Sequence, residues 1–188
     1  MLLISNHKYR AAILTILLVW TTIFFWLLCP VFVVNIIMAI LSLIVLFSII
    51  FDKNYQLSTI FLSFQTSYVL YGYMLVNNLP SWLIMLGVLI ISMYLFSYIE
   101  QKIEIAPEQK GILNIIFSLV VLETFLFLGY FLISPINRSL VIASVVYLIH
   151  GYCDIVLKNH ENKKINVYLF IFLIIFVTII TTASWGKF

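Results

Sequence analysis

Apolar runs about as long as a bilayer is thick follow one another along this chain, separated by short polar or proline-bearing breaks. A membrane-spanning helix needs about 20 apolar residues. Seven runs of that order are present, at 11–29, 31–51, 57–76, 82–99, 111–133, 137–157 and 165–184. A transmembrane β-barrel would show segments of about 10 residues with strict alternation, and runs such as 36–51 do not alternate. The pattern therefore predicts an all-α, polytopic membrane helical bundle of seven transmembrane helices, with residues 1–188 forming a single integral membrane domain.

The breaks have a chemical logic. Without Pro30, residues 11–51 would form one apolar run, about 60 Å long as a helix at 1.5 Å per residue and twice the hydrocarbon thickness. Proline disfavours helix in the residue before it and suits the first turn of the next helix, so a tight helical hairpin turning at Cys29-Pro30 is expected. The segment 52–56 is a polar turn, Asn77-Asn78-Leu79-Pro80-Ser81 another, 100–110 a charged loop with Pro107, and 158–164 the most charged turn. A faint repeat runs through this: Pro30, Pro80 and Pro135 are each followed by a span and then, 22 or 23 residues on, by Lys53, Lys102 or Lys158. It reads either as three stacked hairpins followed by a seventh span or as the spacing that bilayer thickness imposes on any polytopic chain.

Composition agrees with the pattern. Hydrophobic residues are 64% of the chain and charged ones 9%, against about half and about a quarter in a soluble domain, and the mean hydropathy is +1.19. No loop is long enough to fold alone, which excludes an attached ATPase, kinase or DNA-binding domain. The first run resembles a signal peptide in having a basic lead, but Trp26-Leu27-Leu28-Cys29 lacks the small-residue cleavage site, so it is read as a span.

The net charge of +3 reports orientation rather than affinity for nucleic acid. With seven spans, Lys8, Arg10, Lys53, Lys102, Lys110, Lys158, Lys163 and Lys164 fall on the side of the N-terminus, and only Arg138 and Lys187 on the other. Positive residues collect on the cytoplasmic side, so the N-terminus is expected in the cytoplasm and the C-terminus outside. Trp26, Trp82 and Trp185 fall at predicted outer ends and Tyr9, Tyr55, Tyr98, Tyr152 and Tyr168 at or near inner ends, as interfacial aromatics do. The short loops point to a cell (cytoplasmic) membrane.

Few residues carry chemistry. Glu123 stands 12 residues into the fifth predicted span, near mid-membrane, with Tyr130 on the same face. Intramembrane acids usually face protein or a water cavity. Hydrocarbon disfavours the charged form, and a neutral carboxyl is a hydrogen-bond donor and a proton carrier. Glu123 is thus a candidate for a proton or cation relay, or for polar glue between helices. His150 and Asp154, four apart, share a face of the sixth span with Cys153 on its flank. An Asp so placed orients the imidazole and favours its protonated form, giving a proton-handling pair or an interfacial ion pair at the cytoplasmic mouth. By helical rise, Glu123 and His150 stand at different depths, as stations rather than a dyad. Asn35, Gln65 and Asn114 are candidates for a polar interior, either lining a cavity or bonding helix to helix. The third span, with Ser63, Gln65, Thr66, Ser67, Tyr68, Tyr71 and Tyr73, is the least apolar.

Other features argue against chemistry. Cys29 and Cys153 fall at opposite faces, too far apart for a disulfide. No HExxH, GxGxxG, P-loop or Ser-His-Asp ordering occurs, and the last span has no lysine for retinal. No metal site and no cofactor is expected. There are six glycines and no proline inside a predicted span, whereas secondary transporters build their sites from helices broken by Gly or Pro. The reading that follows is a non-enzymatic membrane scaffold or accessory subunit, with the lipid bilayer and either a membrane-protein partner or further copies of the chain as its company. The alternative is a small proton- or cation-coupled transporter or channel using Glu123, with His150 and Asp154. An outward-facing Glu123 would count against that alternative and against an intramembrane enzyme.

Overall fold

The structure, a computed structural model, describes residues 7–76, 80–100, 107–131, 133–154, 167–174 and 177. The charged turn 158–164, the second half of the last predicted span, Trp185, and lysines 102, 158, 163, 164 and 187 lie outside the described residues. All regular structure among the described residues is helical, in seven helices: α1 (His7–Leu28), α2 (Phe32–Ile50), α3 (Tyr55–Val76), α4 (Ser81–Glu100), α5 (Pro107–Gly129), α6 (Pro135–Tyr152) and α7 (167–174). Four of them are long and apolar enough to cross a membrane: Tyr9–Leu28, Phe32–Ile50, Ser81–Glu100 and Gln109–Gly129.

The turns follow from local chemistry. The chain leaves α1 at Cys29-Pro30 and re-enters helix at Phe32, with Val31 extended at φ −91°, ψ 104°. Between α2 and α3, Asp52 and Asn54 hold positive φ, 53° and 50°. Asp and Asn tolerate this left-handed conformation better than other non-glycine residues. The turn is tied down by Tyr98, whose hydroxyl donates to Asp52 Oδ1 at 2.8 Å, and by Ser48 donating to the Lys53 carbonyl. Ser134 caps α6, its hydroxyl accepting from Asn137 N at 3.4 Å with Pro135 in the first turn.

α5 departs from its expected bounds at both ends. The predicted loop 100–110 gives up its second half to α5, because Pro107 starts that helix rather than breaking it. At its other end α5 stops at Gly129, four residues before the predicted end of the span at 133. Tyr130 N and Phe131 N bond to the carbonyls three residues back, a tightened last turn. Ser134, preceding a proline, is then driven to an extended ψ of 148°.

The packing order is set by polarity. α3 touches α1, α2, α4 and α6, and its most extensive contact is with α6. α5 packs on α4 and α6. Thus α3, α4, α5 and α6 close a ring, and α1 and α2 lie against the outer side of α3. One buried cluster fills the ring, with Tyr71, Val88, Phe96, Val121, Phe125, Ile142 and Val146. A second joins α1 and α2 to α3, with Leu14, Leu18, Phe25, Met38, Val45 and Leu62. Twelve residues of α3 are buried, including Ser58, Thr59, Ser63, Gln65, Thr66 and Ser67. A helix rich in hydroxyl, amide and phenol groups is therefore the central one.

Helix contacts are close where glycine permits them. A Cβ on Gly72 would stand 2.5 Å from Leu28 Cδ1, where α3 meets α1. At Gly87 of α4 the nearest such neighbour is Leu70 Cδ2 at 4.0 Å, an ordinary contact. Gly87→Ala is therefore expected to raise stability by about 0.5–1 kcal/mol through helix propensity. Gly72→Val, which overpacks a closed contact, is expected to lower it by about 1–3 kcal/mol. Unfolding of both variants by SDS titration in mixed micelles checks the pair, and equal effects would refute the assignment of Gly72 as the close-approach site.

Candidate functional site

At one end of the bundle the start of α3 faces the end of α6, and polar side chains pair across the interface in two rungs. His150, 1% exposed, has Nε2 2.6 Å from Thr59 Oγ1, with the Tyr55 ring 5.7 Å from the imidazole. One turn further on, Gln56 Nε2 donates to Asp154 Oδ2 at 2.5 Å. The same carboxylate oxygen accepts from the Tyr168 hydroxyl of α7 at 2.9 Å. The spacing explains the ladder: residues i and i+4 on α6 meet i and i+3 on antiparallel α3. The last turn of α6 widens into a π-type turn at Cys153 and Asp154. Gly151 lets α7 approach, since a Cβ there would stand 2.8 Å from the Tyr168 ring. The same end of the bundle holds Asp52, and also Arg10, whose guanidinium donates to the Ser97 carbonyl at 3.2 Å. Ionisable groups therefore gather at this charged end.

A second polar centre lies within the spans, where α1, α2 and α3 meet. Gln65 is fully buried. Its Oε1 accepts from Thr21 at 3.0 Å, and its Nε2 donates to Ser42 Oγ at 3.1 Å and to Thr22 Oγ1 at 3.4 Å. Thr22 and Ser42 are 3.0 Å apart, and each hydroxyl also reaches a carbonyl of its own helix, Leu18 O and Met38 O, at 2.7 Å. One amide thus saturates three hydroxyls from two neighbouring helices.

The other candidates lie apart from it and from one another. Asn35 is buried and donates to Cys29 O at 3.0 Å, so it holds the end of α1 to the start of α2. Asn114 donates to Met93 O at 3.1 Å, joining α5 to α4, and accepts from Ser118 at 3.2 Å. Glu123 is exposed, and no hydrogen bond or ion pair reaches it among the described residues. Because α5 ends at Gly129, Glu123 stands six residues, about 9 Å at 1.5 Å per residue, from the end of its helix. That is nearer the end than the mid-membrane position expected from a span running to 133. His150 and Asp154 are brought together in one ladder, whereas Glu123, Gln65, Asn35 and Asn114 share no common space.

Three further features escaped the sequence reading. Thr59 and Gln56 were signalled only by their i, i+3 spacing at the head of a polar helix. Arg138, counted only as a charge of the outer side, is 8% exposed. Its Nη2 donates to Phe131 O at 2.5 Å, and its guanidinium lies over the Tyr71 ring at 5.2 Å. Tyr71 in turn stacks on Phe125 at 4.0 Å and donates to Phe125 O at 2.7 Å, which pins α3, α5 and α6 together at the end opposite the ladder. Finally, a small, partly open cavity of about 20 Å³ lies among α3 to α6, room for about one water. The hydroxyls of Ser63, Thr66, Ser67 and Ser92 border it.

Chemically, the ladder sets an imidazole and a carboxylate one helical turn apart, each bonded to a polar side chain of α3. Among the described residues, no three His, Cys, Asp or Glu side chains gather into a group able to hold a metal. No known protein family, curated protein or solved structure matches this chain.

Interhelical hydrogen bonds in membranes contribute about 0.6 kcal/mol on average. Gln65→Leu, which removes several at once, is therefore expected to cost about 1–2 kcal/mol, and Thr59→Val, which removes the His150 contact, about 0.5–1 kcal/mol. The two sites share no partner, so the double variant should equal the sum within about 0.5 kcal/mol. SDS titration measures all three, and a Gln65→Leu variant as stable as wild type would refute the role given to the amide.

Proposed function

We propose that this chain is a seven-span protein of the cell (cytoplasmic) membrane, N-terminus cytoplasmic and C-terminus outside, acting as a non-enzymatic scaffold or accessory subunit of a larger membrane assembly. The observation that carries this reading is the outward placement of Glu123 on α5, while Gln65, His150 and Asn114 bond one helix to another. A relay built on Glu123 would need that carboxyl to face the polar groups of the interior. The ring instead holds a small cavity of about 20 Å³, and its bordering hydroxyls are separated from Glu123 by the body of α5. Unbroken helices and short turns fit a part that is held in place rather than one that cycles between states.

The second reading, proton or cation movement, is favoured by the ladder itself. His150 and Asp154 meet Thr59, Gln56 and Tyr168 at the charged end, where the proposed orientation puts the cytoplasm. That gives one mouth with a proton-handling pair.

Three measurements test these proposals. Native mass spectrometry after extraction in mild detergent is expected to show a stoichiometric protein partner, and a clean monomer or homo-oligomer would overturn the accessory role. In liposomes with an internal pH-sensitive dye, wild type and Glu123→Gln should both leak no faster than protein-free vesicles, and a flux abolished by Glu123→Gln would establish the second reading instead. For topology, alkaline phosphatase fused after Phe188 should be active and the same enzyme fused after Asn54 inactive. The reverse pattern would overturn the orientation, and equal activity the number of spans.

A further inference from the structure

The outward face of α5 is a continuous stripe. Ile116, Leu119, Val120, Glu123, Phe127 and Tyr130 recur at three- and four-residue spacing and all are exposed. Tyr130, at the end of the helix, is 89% exposed and Phe127 62% exposed. Within the segment long and apolar enough to span, Gln109–Gly129, Glu123 stands about 9 Å from the nearer end by helical rise. Phe127 occupies the next turn of the same face, between the carboxyl and that end. The side chain of glutamate is short, so it does not snorkel past a phenylalanine as lysine or arginine can. A carboxyl so placed, with no donor or cation beside it among the described residues, calls for one from elsewhere.

We infer that this stripe is a docking face for a transmembrane helix of another protein, and that the docked helix presents a lysine or arginine to Glu123. The inference rests on the accessory-subunit reading and specifies its partner. Charge complementarity selects a different chain over a second copy. Among the described cations, Arg10, Lys53 and Lys110 lie at the charged end, away from Glu123, and Arg138 is buried against Tyr71 and Phe131. A second copy docking through the same stripe would bring Glu123 against Glu123. The stripe is bulky, with no glycine or serine between 116 and 130 on this face. The partner helix therefore packs at ordinary side-chain distance of about 8–10 Å rather than backbone to backbone.

The test uses the full chain and a defined probe: a single-span, leucine-rich host helix carrying one lysine at the depth of Glu123, co-expressed with it, beside the same host with leucine there. A photo-crosslinking residue replaces Leu119 on the α5 stripe or, as a control face, Leu43 on the outward side of α2. The lysine host should crosslink from position 119 at least about tenfold more than the leucine host, the difference made by about one favourable pair. It should gain nothing at position 43. Glu123→Leu should abolish the preference, and Glu123→Lys should transfer it to a host carrying aspartate; since Glu123 is exposed, neither variant removes a contact needed for folding. Equal crosslinking of both hosts, or a dominant crosslink between two copies of the chain at 119, would overturn the inference. The native assembly separates the two levels. A partner retained undiminished by Glu123→Leu leaves the accessory role standing and refutes this face. Absence of any partner, with lysine-host binding intact, refutes the accessory role and leaves the face.

Discussion

Inside hydrocarbon a polar group has no water to turn to, so it must find its partner within the protein. That constraint orders this bundle. α3 carries more hydroxyl, amide and phenol groups than a lipid-facing helix can hold, and it stands in the middle with four helices around it. α6, with Arg138 and His150, takes the place against α3 for the same reason. The more apolar helices, α1, α2, α4 and α5, stand around them and contribute single polar side chains, such as Thr21, Ser42 and Asn114, to the contacts between helices. In a water-soluble bundle polarity would drive the same side chains outward. Here the solvent is apolar and the ordering inverts.

The constraint also explains how the helices are held. Apolar contact gives little preference for one helix neighbour over another when lipid tails are equally apolar, so specificity falls to packing and to hydrogen bonds. Three sets of contacts are distributed along the axis. The Thr59–His150 and Gln56–Asp154 rungs fix α3 to α6 at the charged end. Gln65 fixes α3 to α1 and α2 within the spans. Arg138, Tyr71 and Phe125 fix α3, α5 and α6 at the opposite end. Each set alone is worth only about 1–2 kcal/mol, but together they oppose sliding, tilting and rotation of α3 in register. A helix clamped at three heights is poorly suited to the rocking motions that alternating access requires.

The same physics decides what could be read in advance. Turns were legible because Pro30, Pro135 and the Asp52–Asn54 pair act through their own backbone preferences, which do not depend on neighbours. The centrality of α3 was half legible: its polarity marked it as unfit for lipid, but polar groups on most of its circumference gave no hint of which helix would meet which face. Gln65 was a candidate on composition, yet its partners Thr21, Thr22 and Ser42 come from helices that look uniformly apolar. The burial of Arg138 was not legible because an aromatic face and a carbonyl, neither of them charged, hold its guanidinium. The outward placement of Glu123 was hidden for the opposite reason. α5 is apolar on every side, so its sequence period does not say which face turns inward.

Two acids of this chain meet the same demand in different ways. Asp154 is close to the charged end, where water is near, and still receives Gln56 and Tyr168. Glu123 is deeper within its span, where the demand is stronger, and receives nothing from the described residues. Its helix could have met the demand internally: rotating α5 by about 100°, one residue's turn at 3.6 residues per turn, would place a different side chain on the outward line. The rotation is fixed instead by Val121, Phe125 and Leu128, buried at 4%, 1% and 6% exposure on the inward line, together with the Tyr71–Phe125 stack. Packing that strong holds an acid toward lipid at a cost of about 3 kcal/mol when ionised. The bundle thus bonds Gln65, His150 and Asp154 from within, while its packing holds Glu123 on the outward line of α5.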